Sequence, residues 1–286
     1  MNLTELGGEF ALIRRIARKS KSGNVLVGIG DDCAVVRIDQ YRLHLYTVDM
    51  LVEGDHFSRA YFTPYDIGAK AMESSVSDIA AMGGHPLYGL VSIALPDDST
   101  VAFLDDSYRG MYDVADRYEF DVIGGDTTHA DKMIVDIVLV GEVTPSRLKL
   151  RSTAEPGDLI AVSGKLGGSK AGLRLYQNGI EGYLNVKRYH TAPRCDMDQL
   201  DRILPIAKAM EDVSDGLASE VRNICRESEV GARLYKDSIP LCDGIRETAA
   251  LLGDDPLDYA LFGGEDFKLV YSVRPDDRSR IVGAVV

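Results

Sequence analysis

Several aspartates of this sequence stand in short turns rich in glycine, serine or threonine, or between apolar residues, rather than on long charged surfaces. They are Asp31, Asp32, Asp49, Asp78, Asp126, Asp212 and Asp215. An aspartate in such a place commonly binds a hard divalent cation, which takes oxygen ligands and often also holds a phosphate group. The pattern therefore predicts an enzyme that uses magnesium and acts on a phosphate compound.

The adjacent carboxylates of Asp31 and Asp32 follow a predicted strand over residues 25–29, in the segment GIGDDCAVV. Two neighbouring carboxylates repel each other unless a cation lies beside them, which favours a metal site. A solvated hairpin tip is the alternative that the motif alone leaves open. A dinucleotide-binding fingerprint is rejected, because Cys33 occupies the position where the third glycine would be needed.

Asp78 lies late in a predicted helix over residues 64–82, which a Gly-Gly pair ends. A carboxylate near the C-terminal end of a helix is disfavoured by the helix dipole. Ser74 lies one turn earlier on the same face, and Ile79 and Met82 are predicted to be buried. A metal ligand explains this position better than a surface aspartate does, although the second interpretation stays open.

Two further motifs place polar residues at the ends of predicted elements. GGDTTHA follows a short predicted strand over residues 121–123, which the two glycines end, and glycine lets a ligand approach the backbone closely. A plain tight turn is the alternative. DVSDGL begins a predicted helix, where its polar side chains either cap the helix or bind an anion and a cation together. The segment SGKLGGSKAGL is not a Walker A loop, and we expect it to be structural or to face phosphate.

The composition limits the class of protein. The chain has 286 residues and a formal net charge of −13. An acidic chain is a poor partner for nucleic acid, whose phosphates require Lys and Arg. We find no apolar run long enough to span a membrane and no secretory signal pattern. The four cysteines show no metal-ligand spacing, so we expect reduced, mostly buried thiols in a cytoplasmic protein.

Predicted strands and helices alternate in both halves of the chain, beginning with an amphipathic helix over residues 9–19. We therefore expect an α/β (α+β) protein with two domains. The polar segment of residues 144–158 contains two prolines and is the predicted boundary. The N-terminal domain then spans residues 1–145, and a C-terminal α+β domain spans residues 146–286.

The order of the motifs resembles the thiamine-monophosphate kinase family, within the aminoimidazole-ribonucleotide synthetase-like superfamily of ATP-dependent proteins. The matching motifs begin with GEF at residue 8 and continue through GIGDDCAVV, TVDMLVEGDHF, SDIAAMGGHP, GGDTT, RSTAEPGD, DVSDGL and GGEDF. Each motif is short, but in this order they cover almost the whole chain. The combination of TVDMLVEGDHF with GGDTT is particularly similar to this family.

The resemblance implies a kinase of thiamine biosynthesis that transfers a phosphoryl group directly from ATP to thiamine monophosphate and produces thiamine diphosphate. It implies several Mg²⁺ ions between the two substrates and no protein nucleophile. Phosphoryl transfer in general depends on positioning and charge neutralisation, which agrees with such a site. The resemblance also implies a homodimer that forms through the sheet of the N-terminal domain, which binds metal and ATP.

Position by position, the resemblance assigns three groups of residues. The metal-binding positions are Asp32, Thr47, Val48, Asp49, Asp78, Asp126, Asp212 and Asp215. The nucleotide contacts are Gly125, Asp126, Arg151 and Ser214. The thiamine-side contacts are His56 and Glu265. At Val48 the family often has a hydroxyl residue, so only the backbone oxygen of this valine is expected to serve.

The family pattern continues for several dozen residues beyond GGEDF and includes an aromatic residue against the thiamine. This chain ends at IVGAVV, so we expect its C-terminal domain to lack the final segment. Two alternatives to the kinase stay open. One is another ATP-dependent enzyme of the superfamily, of the ring-closing ribonucleotide synthetase type. The other is a non-catalytic sensor of Mg-nucleotide or of thiamine phosphates.

Overall fold

The first half of the molecule is built on a mixed six-stranded sheet. The structure is a computed structural model that describes residues 9–286. The strands are β1 (Val25–Val27), β2 (Ala34–Arg37), β3 (Leu43–Val52), β4 (His85–Leu95), β5 (Asp121–His129) and β6 (Ile134–Val143). They lie in the order β1-β2-β3-β6-β4-β5. All neighbouring strands are antiparallel except β4 and β5, which are parallel. Strand β5 forms one edge of the sheet.

Among the residues that the structure describes, three helices accompany this sheet: α1 (Glu9–Ile16), α2 (Pro64–Ala81) and α3 (Val101–Arg117). Helices α2 and α3 pack against each other through two glycines. A Cβ on Gly68 would lie 1.9 Å from the carbonyl oxygen of Ser107, and one on Gly110 would lie 2.1 Å from that of Tyr65. The two backbones therefore approach more closely than any side chain would allow.

The second half contains a four-stranded antiparallel sheet in the order β10-β7-β9-β8. Its strands are β7 (Leu159–Val162), β8 (Ala207–Asp212), β9 (Leu269–Val273) and β10 (Ala284–Val285). The helices of this half are α4 (Gly168–Gln177), α5 (Leu184–Thr191), α6 (Leu200–Ile203), α7 (Leu217–Glu227), α8 (Ile245–Leu252) and α9 (Pro256–Phe262). Short 3₁₀ turns occur at Arg151–Thr153, Met197–Gln199, Lys236–Ser238 and Pro275–Arg280.

Helix α2 is the element that both sheets share. Met72 and Ile79 belong to the apolar core beneath the six-stranded sheet. Ala80 and Ala81, at the end of the same helix, pack in the core of the four-stranded sheet together with Tyr271. Because this helix is buried on nearly all sides, any polar residue along it must find its partners inside the protein.

The α/β (α+β) fold class is confirmed, and so is the helix expected over residues 64–82. Thr63 caps the first turn of α2 by accepting from the Asp66 N–H at 3.1 Å. After its last turn, Gly83 adopts a φ of +78°, which L side chains rarely adopt. Helix α1 is shorter than expected and ends at Ile16; the side chain of Phe10, placed on its apolar face, lies outside what the structure describes.

The expectation that Gly124 and Gly125 end a short strand is wrong. Strand β5 continues through both glycines to His129, in parallel register with β4. A Cβ on Gly125 would lie 1.8 Å from the carbonyl oxygen of Val91. Glycine is needed there because the neighbouring strand β4 lies too close to leave room for a side chain. In a sequence, a glycine required for such close packing cannot be distinguished from a glycine that forms a turn.

Candidate active site

Three carboxylates from distant parts of the chain meet between the two sheets. Oxygen atoms of Asp32, Asp78 and Asp212 all lie within 4.8 Å of one another. Asp32 comes from the loop between β1 and β2, Asp78 from α2, and Asp212 from the last position of β8. The two halves of the molecule therefore both contribute carboxylates to this cluster.

Hydroxyl groups hold the carboxylates in place. Thr47 donates to Asp78, and Ser77 donates to Asp212 Oδ2 at 2.6 Å. In β3 the buried positions alternate with exposed ones, so Thr47 and Asp49 face α2, where Ser74 lies within hydrogen-bonding reach of the Asp49 carboxylate. The cluster thus has a fixed shape that the fold sets before any ligand binds.

Burial raises the pKa of each carboxyl group in this cluster. For Asp78 and Asp212 the pKa lies well above the ordinary value, first because of burial and then because of the neighbouring negative groups. The same causes raise the pKa of Asp31 to about 7, which Arg151 partly offsets. Within residues 9–286, Asp32 Oδ2 is buried and has no hydrogen-bond partner. Oxygen donors that are crowded, buried and short of partners fit a hard divalent cation.

Arg151 is the cationic residue beside this cluster, and it stands on the first 3₁₀ turn of the second half. Its guanidinium lies 2.5 Å from Asp32 and 2.9 Å from Glu211. The sequence prediction missed Glu211. It is buried next to Asp212 at the end of β8, and its Oε1 accepts from the Asn223 side chain at 2.9 Å. The only sequence signal for it is an acidic residue directly before Asp212, at the end of a mostly apolar segment.

An open cleft of about 530 Å³ lies against the carboxylates. The residues around it include Gly28 and Gly30 from the β1–β2 loop, and Asp78, Arg151 and Ser214. Exposed N–H groups of a glycine-containing loop and a guanidinium group are suited to bind phosphates. The cleft therefore combines anion-binding groups with a cluster that requires cations.

A second group of polar residues lies around Lys70 in the N-terminal half of α2, and it contains His56 and Glu265, the two residues predicted to contact thiamine. Lys70 is 1% exposed, and its ammonium donates to the carbonyl of His56 at 2.8 Å and contacts Glu265 Oε1 at 2.8 Å. His56 Nδ1 accepts from the Val52 N–H at 3.0 Å, which leaves Nε2 as the donor. Neither Lys70 nor the next residue of this group, His190, was predicted from the sequence.

His190 and Ser169 complete this group on the side of the second sheet. His190 Nδ1 lies 3.1 Å from Ser169 Oγ and 3.5 Å from Glu265 Oε2. Burial, together with the charge of Lys70, lowers the pKa of His190 to about 2, so the ring is neutral. A buried lysine and a buried histidine carry little pattern in a sequence, which is why only the fold identifies them.

Four of the predicted residues place no side chain in the group of three carboxylates, although Val48 lines the same cleft as Thr47. The Val48 side chain points to the opposite face of β3 and is 60% exposed. Asp215 is exposed in the turn before α7, where Glu220 accepts from its N–H at 2.7 Å. Gly125 and Asp126 lie on β5, three strands from β3, so their backbone is about 14 Å from Asp49 within the sheet.

The Gly-rich segment before α4 binds a carboxylate of the protein itself. Asp266 accepts from the N–H of Gly167 at 2.6 Å and from the N–H of Ser169 at 3.2 Å. These amides at the start of a helix favour an anion. The segment is therefore structural, which is one of the two roles expected for it.

All four cysteines are free, and Cys33, Cys195 and Cys242 are buried, as the sequence predicted. Among residues 9–286, none of the helices is long and apolar enough to cross a membrane.

Comparison with known proteins points to one family. Residues 30–143 match the family described as AIR synthase related protein, N-terminal domain. The thiamine-monophosphate kinase of Bacillus subtilis (strain 168) is 38% identical over 279 residues, which cover 94% of this chain and 84% of that protein. That of Aquifex aeolicus (strain VF5) is 36% identical over 282 residues, which cover 97% of this chain and 89% of that protein.

Solved structures point to the same family. The structure named AaThiL complexed with AMPPCP and TMP has a TM-score of 0.91 and 34% identity, and the match covers 100% of this chain and 91% of that one. The hydrogenase maturation protein HypE has a TM-score of 0.71 over 82% of this chain and 73% of that one, but only 20% identity. HypE therefore shares the fold, and its likeness says nothing further.

Proposed function

The chain belongs to the thiamine-monophosphate kinase family, and from this membership we propose that its cleft transfers the terminal phosphoryl group of ATP to thiamine monophosphate. The observation that carries the proposal is the meeting of Asp32, Asp78 and Asp212 within 4.8 Å beside an open cleft. Two substrates that both carry phosphate repel each other, and a site that joins them needs several cations. Crowded buried carboxylates are the groups that attract such cations.

The reaction requires no nucleophile from the protein. An oxygen of the acceptor phosphate attacks the γ-phosphorus of ATP, the bond to the β–γ bridging oxygen breaks, and ADP leaves. Near neutral pH the acceptor phosphate is already largely ionised, so no general base is needed. Arg151 and Ser214 face the cleft and would contact the nucleotide, while His56 and Glu265 would contact the thiamine side.

We assign the metal-binding role to Asp32, Asp78 and Asp212, with Thr47 and Asp49 beside them on β3. Mg²⁺ is the cation that such oxygen ligands and phosphates favour. When bound, Mg²⁺ would neutralise the charge on the transferred phosphoryl group. The chain itself contributes by holding the oxygens at fixed positions through the hydroxyls of Thr47 and Ser77.

The test is incubation of the purified protein with Mg-ATP and thiamine monophosphate, followed by mass detection of thiamine diphosphate and ADP. We expect stoichiometric formation of both products. Binding of both compounds without release of ADP would identify a sensor instead. Turnover of a ring-closing ribonucleotide substrate, with no thiamine diphosphate formed, would assign the protein to another branch of the superfamily.

We further propose that the protein is a homodimer whose contact is the outer face of the six-stranded sheet. On this face, cross-strand neighbours line up in rows across β3, β6 and β4. The exposed side chains in these rows are those of Tyr46, Val48, Met50, Tyr88 and Leu90. An exposed apolar sheet face of this extent is typical of a protein interface. A second copy of the chain would cover it.

The dimer would also explain the position of Asp126. By register, Asp126 lies in the row that runs from Met50 through Asp136 and Ser92, at the edge of the apolar face. It is about 14 Å from Asp49 within its own sheet, which is too far to share a cation with it. We propose that Asp126, with Gly125 beside it, completes the site of the partner protomer.

A mixed dimer tests this arrangement. One chain carries Asp78→Asn and the other carries Asp126→Asn, with different affinity tags so that the heterodimer is purified. If Asp126 acts across the interface, one of the two sites is intact, and activity is about half that of wild type. If Asp126 acts within its own chain, both sites are defective and the heterodimer is as inactive as the single variants.

We also propose a division of the chain into an N-terminal domain of residues 1–145 and a C-terminal domain of residues 146–286. The two sheets, which lie on either side of this boundary, support it. Buried, reduced thiols support a cytoplasmic location. Separate expression of the N-terminal residues would test the division by circular dichroism, and fractionation of cells that produce the native protein would test the location.

A further inference from the structure

The polar residues of helix α2 form one stripe that runs through the core between both sheets. Lys70, Ser74 and Asp78 follow one another at intervals of four residues, and Ser77 lies three residues after Ser74, so all four lie along one side of the helix. Each reaches a different part of the site. Asp78 and Ser77 contact the carboxylate cluster, Ser74 faces Asp49, and Lys70 contacts the thiamine-side residues.

We propose that Lys70 is a positioning residue that sets the thiamine-binding end of the site, a role that rests on the proposed kinase function. Its buried ammonium contacts Glu265 Oε1 and the carbonyl of His56, each at 2.8 Å. His56 belongs to the first half of the chain and Glu265 to the second. Lys70 is therefore the group that joins the two thiamine-side residues to each other and to α2.

The helix sets the distance between the two ends of the site. Lys70 and Asp78 are eight residues apart, which corresponds to about 12 Å along the axis. Thiamine monophosphate carries its phosphate at one end and an aminopyrimidine ring at the other. An extended acceptor whose phosphate reaches the carboxylates would bring the ring toward Glu265. A rigid helix between these groups would select an acceptor by its length.

The loop that carries Glu265 is held in a strained conformation. Glu265 has a φ of +56° and Phe267 has a φ of +50°, values that non-glycine residues rarely adopt. The loop is fixed to the DVSDGL turn, because the Glu265 N–H donates to the Ser214 carbonyl at 2.7 Å and the Phe267 N–H donates to the Val213 carbonyl at 3.0 Å. Such strain persists where a side chain must be held for a function.

Glu265 itself remains accessible to a ligand. Its side chain is 25% exposed, although one of its oxygens contacts Lys70 and the other lies 3.5 Å from both Ser169 Oγ and His190 Nδ1. Lys70 thus orients the carboxylate while one edge of it stays open to solvent. A carboxylate in this state accepts hydrogen bonds from an amino group, such as that of an aminopyrimidine.

The variant Lys70→Met tests the positioning role by steady-state kinetics. We expect the KM for thiamine monophosphate to rise about tenfold or more, while the KM for ATP changes less than about twofold. Lys149→Met is the control, because half-buried Lys149 also donates to a backbone carbonyl, that of Ala207 at 2.7 Å, at the start of β8, whereas the Glu265 loop is fixed beyond the other end of that strand. The control should leave both KM values unchanged.

The double variant Lys70→Met with Glu265→Gln separates positioning from a purely structural ion pair. If Lys70 acts through Glu265, the double variant has the same KM for thiamine monophosphate as Glu265→Gln alone. A Lys70→Met enzyme with lowered thermal stability but an unchanged KM would overturn the positioning role and leave the kinase function intact. A wild-type protein that forms no thiamine diphosphate would overturn the proposed function, and the role of Lys70 with it.

Discussion

The two ends of helix α2 solve the problem of buried charge in opposite ways. At Asp78, the protein gathers three carboxylates within 4.8 Å, and Arg151 is the one cationic group described in contact with them. At Lys70, a buried ammonium and the carboxylate of Glu265 neutralise each other at 2.8 Å. The first end is negative until something binds, whereas the second is already balanced.

In the proposed function, this difference separates the site of phosphoryl transfer from the site that recognises the acceptor. A cluster with raised pKa values stores unfavourable electrostatic energy, which a bound cation releases. A balanced pair costs desolvation energy but gives a fixed geometry, which recognition of a ring requires. Changes at the two ends should therefore shift stability in opposite directions.

The largest effect is expected for Asp78→Asn. Turnover should fall by roughly a hundredfold or more, because a metal-binding oxygen loses its charge. The metal-free variant should nevertheless melt at a higher temperature than wild type, since one of three repelling carboxylates is gone. Thiamine diphosphate formation and thermal unfolding in EDTA measure the two effects. Retained activity would show that the cluster is not where the transfer occurs.

At the other end, Glu265→Gln should destabilise the protein. The Lys70 ammonium would stay buried without its counter-ion, which costs about 3 to 5 kcal/mol in the free energy of unfolding. Chemical denaturation measures this loss, and the double variant with Lys70→Met should recover most of it. Destabilisation by Asp78→Asn and by Glu265→Gln in equal measure would contradict the contrast between the two ends.

The stability of the metal-free protein should fall as the pH rises from about 4 to about 7. Burial raises the pKa of Asp31 and of Glu220 to about 7, so the folded state keeps protons that the unfolded state loses above its ordinary values of 3.8 and 4.5. Each such group therefore weakens the fold across this window. Melting temperatures in EDTA should drop by several degrees across this pH window. Added Mg²⁺ should raise the melting temperature more at pH 8 than at pH 5.

The smallest effect concerns two serines on the same helix. Ser77 donates to Asp212 at 2.6 Å, whereas the buried Ser75 hydroxyl has no partner within residues 9–286. Ser77→Ala should lower the free energy of unfolding by about 1 kcal/mol and reduce the stabilisation that Mg²⁺ provides. Ser75→Ala is the matched control and should be neutral or slightly stabilising. Equal effects of the two variants would show that the Ser77 contact contributes nothing specific.

The sequence predicted the carboxylate end of the site far better than the thiamine end. Asp32, Asp78 and Asp212 stand in short motifs whose residue types reveal their chemistry, and the structure brings them together. Lys70 and His190 stand in ordinary helices, and their importance depends on being buried, which no local pattern shows. Glu211 was missed for the same reason.

The glycines of GGDTTHA illustrate the limit of local reasoning in another way. Their presence after an apolar run predicted a turn, but β5 continues through them because β4 approaches at Val91. The extended strand also moves Asp126 to an exposed sheet edge, away from Asp49. In the proposed dimer, the neighbours of Asp126 belong to two chains, and no motif within one chain specifies them.

By itself, the sequence determined the fold class, the family, the aspartates and the reaction that they suit, because these depend on residue types in short segments. The tertiary structure decided which of those residues share a site, and it decided that Lys70 connects His56 with Glu265. The physical reason is the cost of burying charge. That cost depends on the distance between groups far apart in the chain, which only the packing of α2 between two sheets sets.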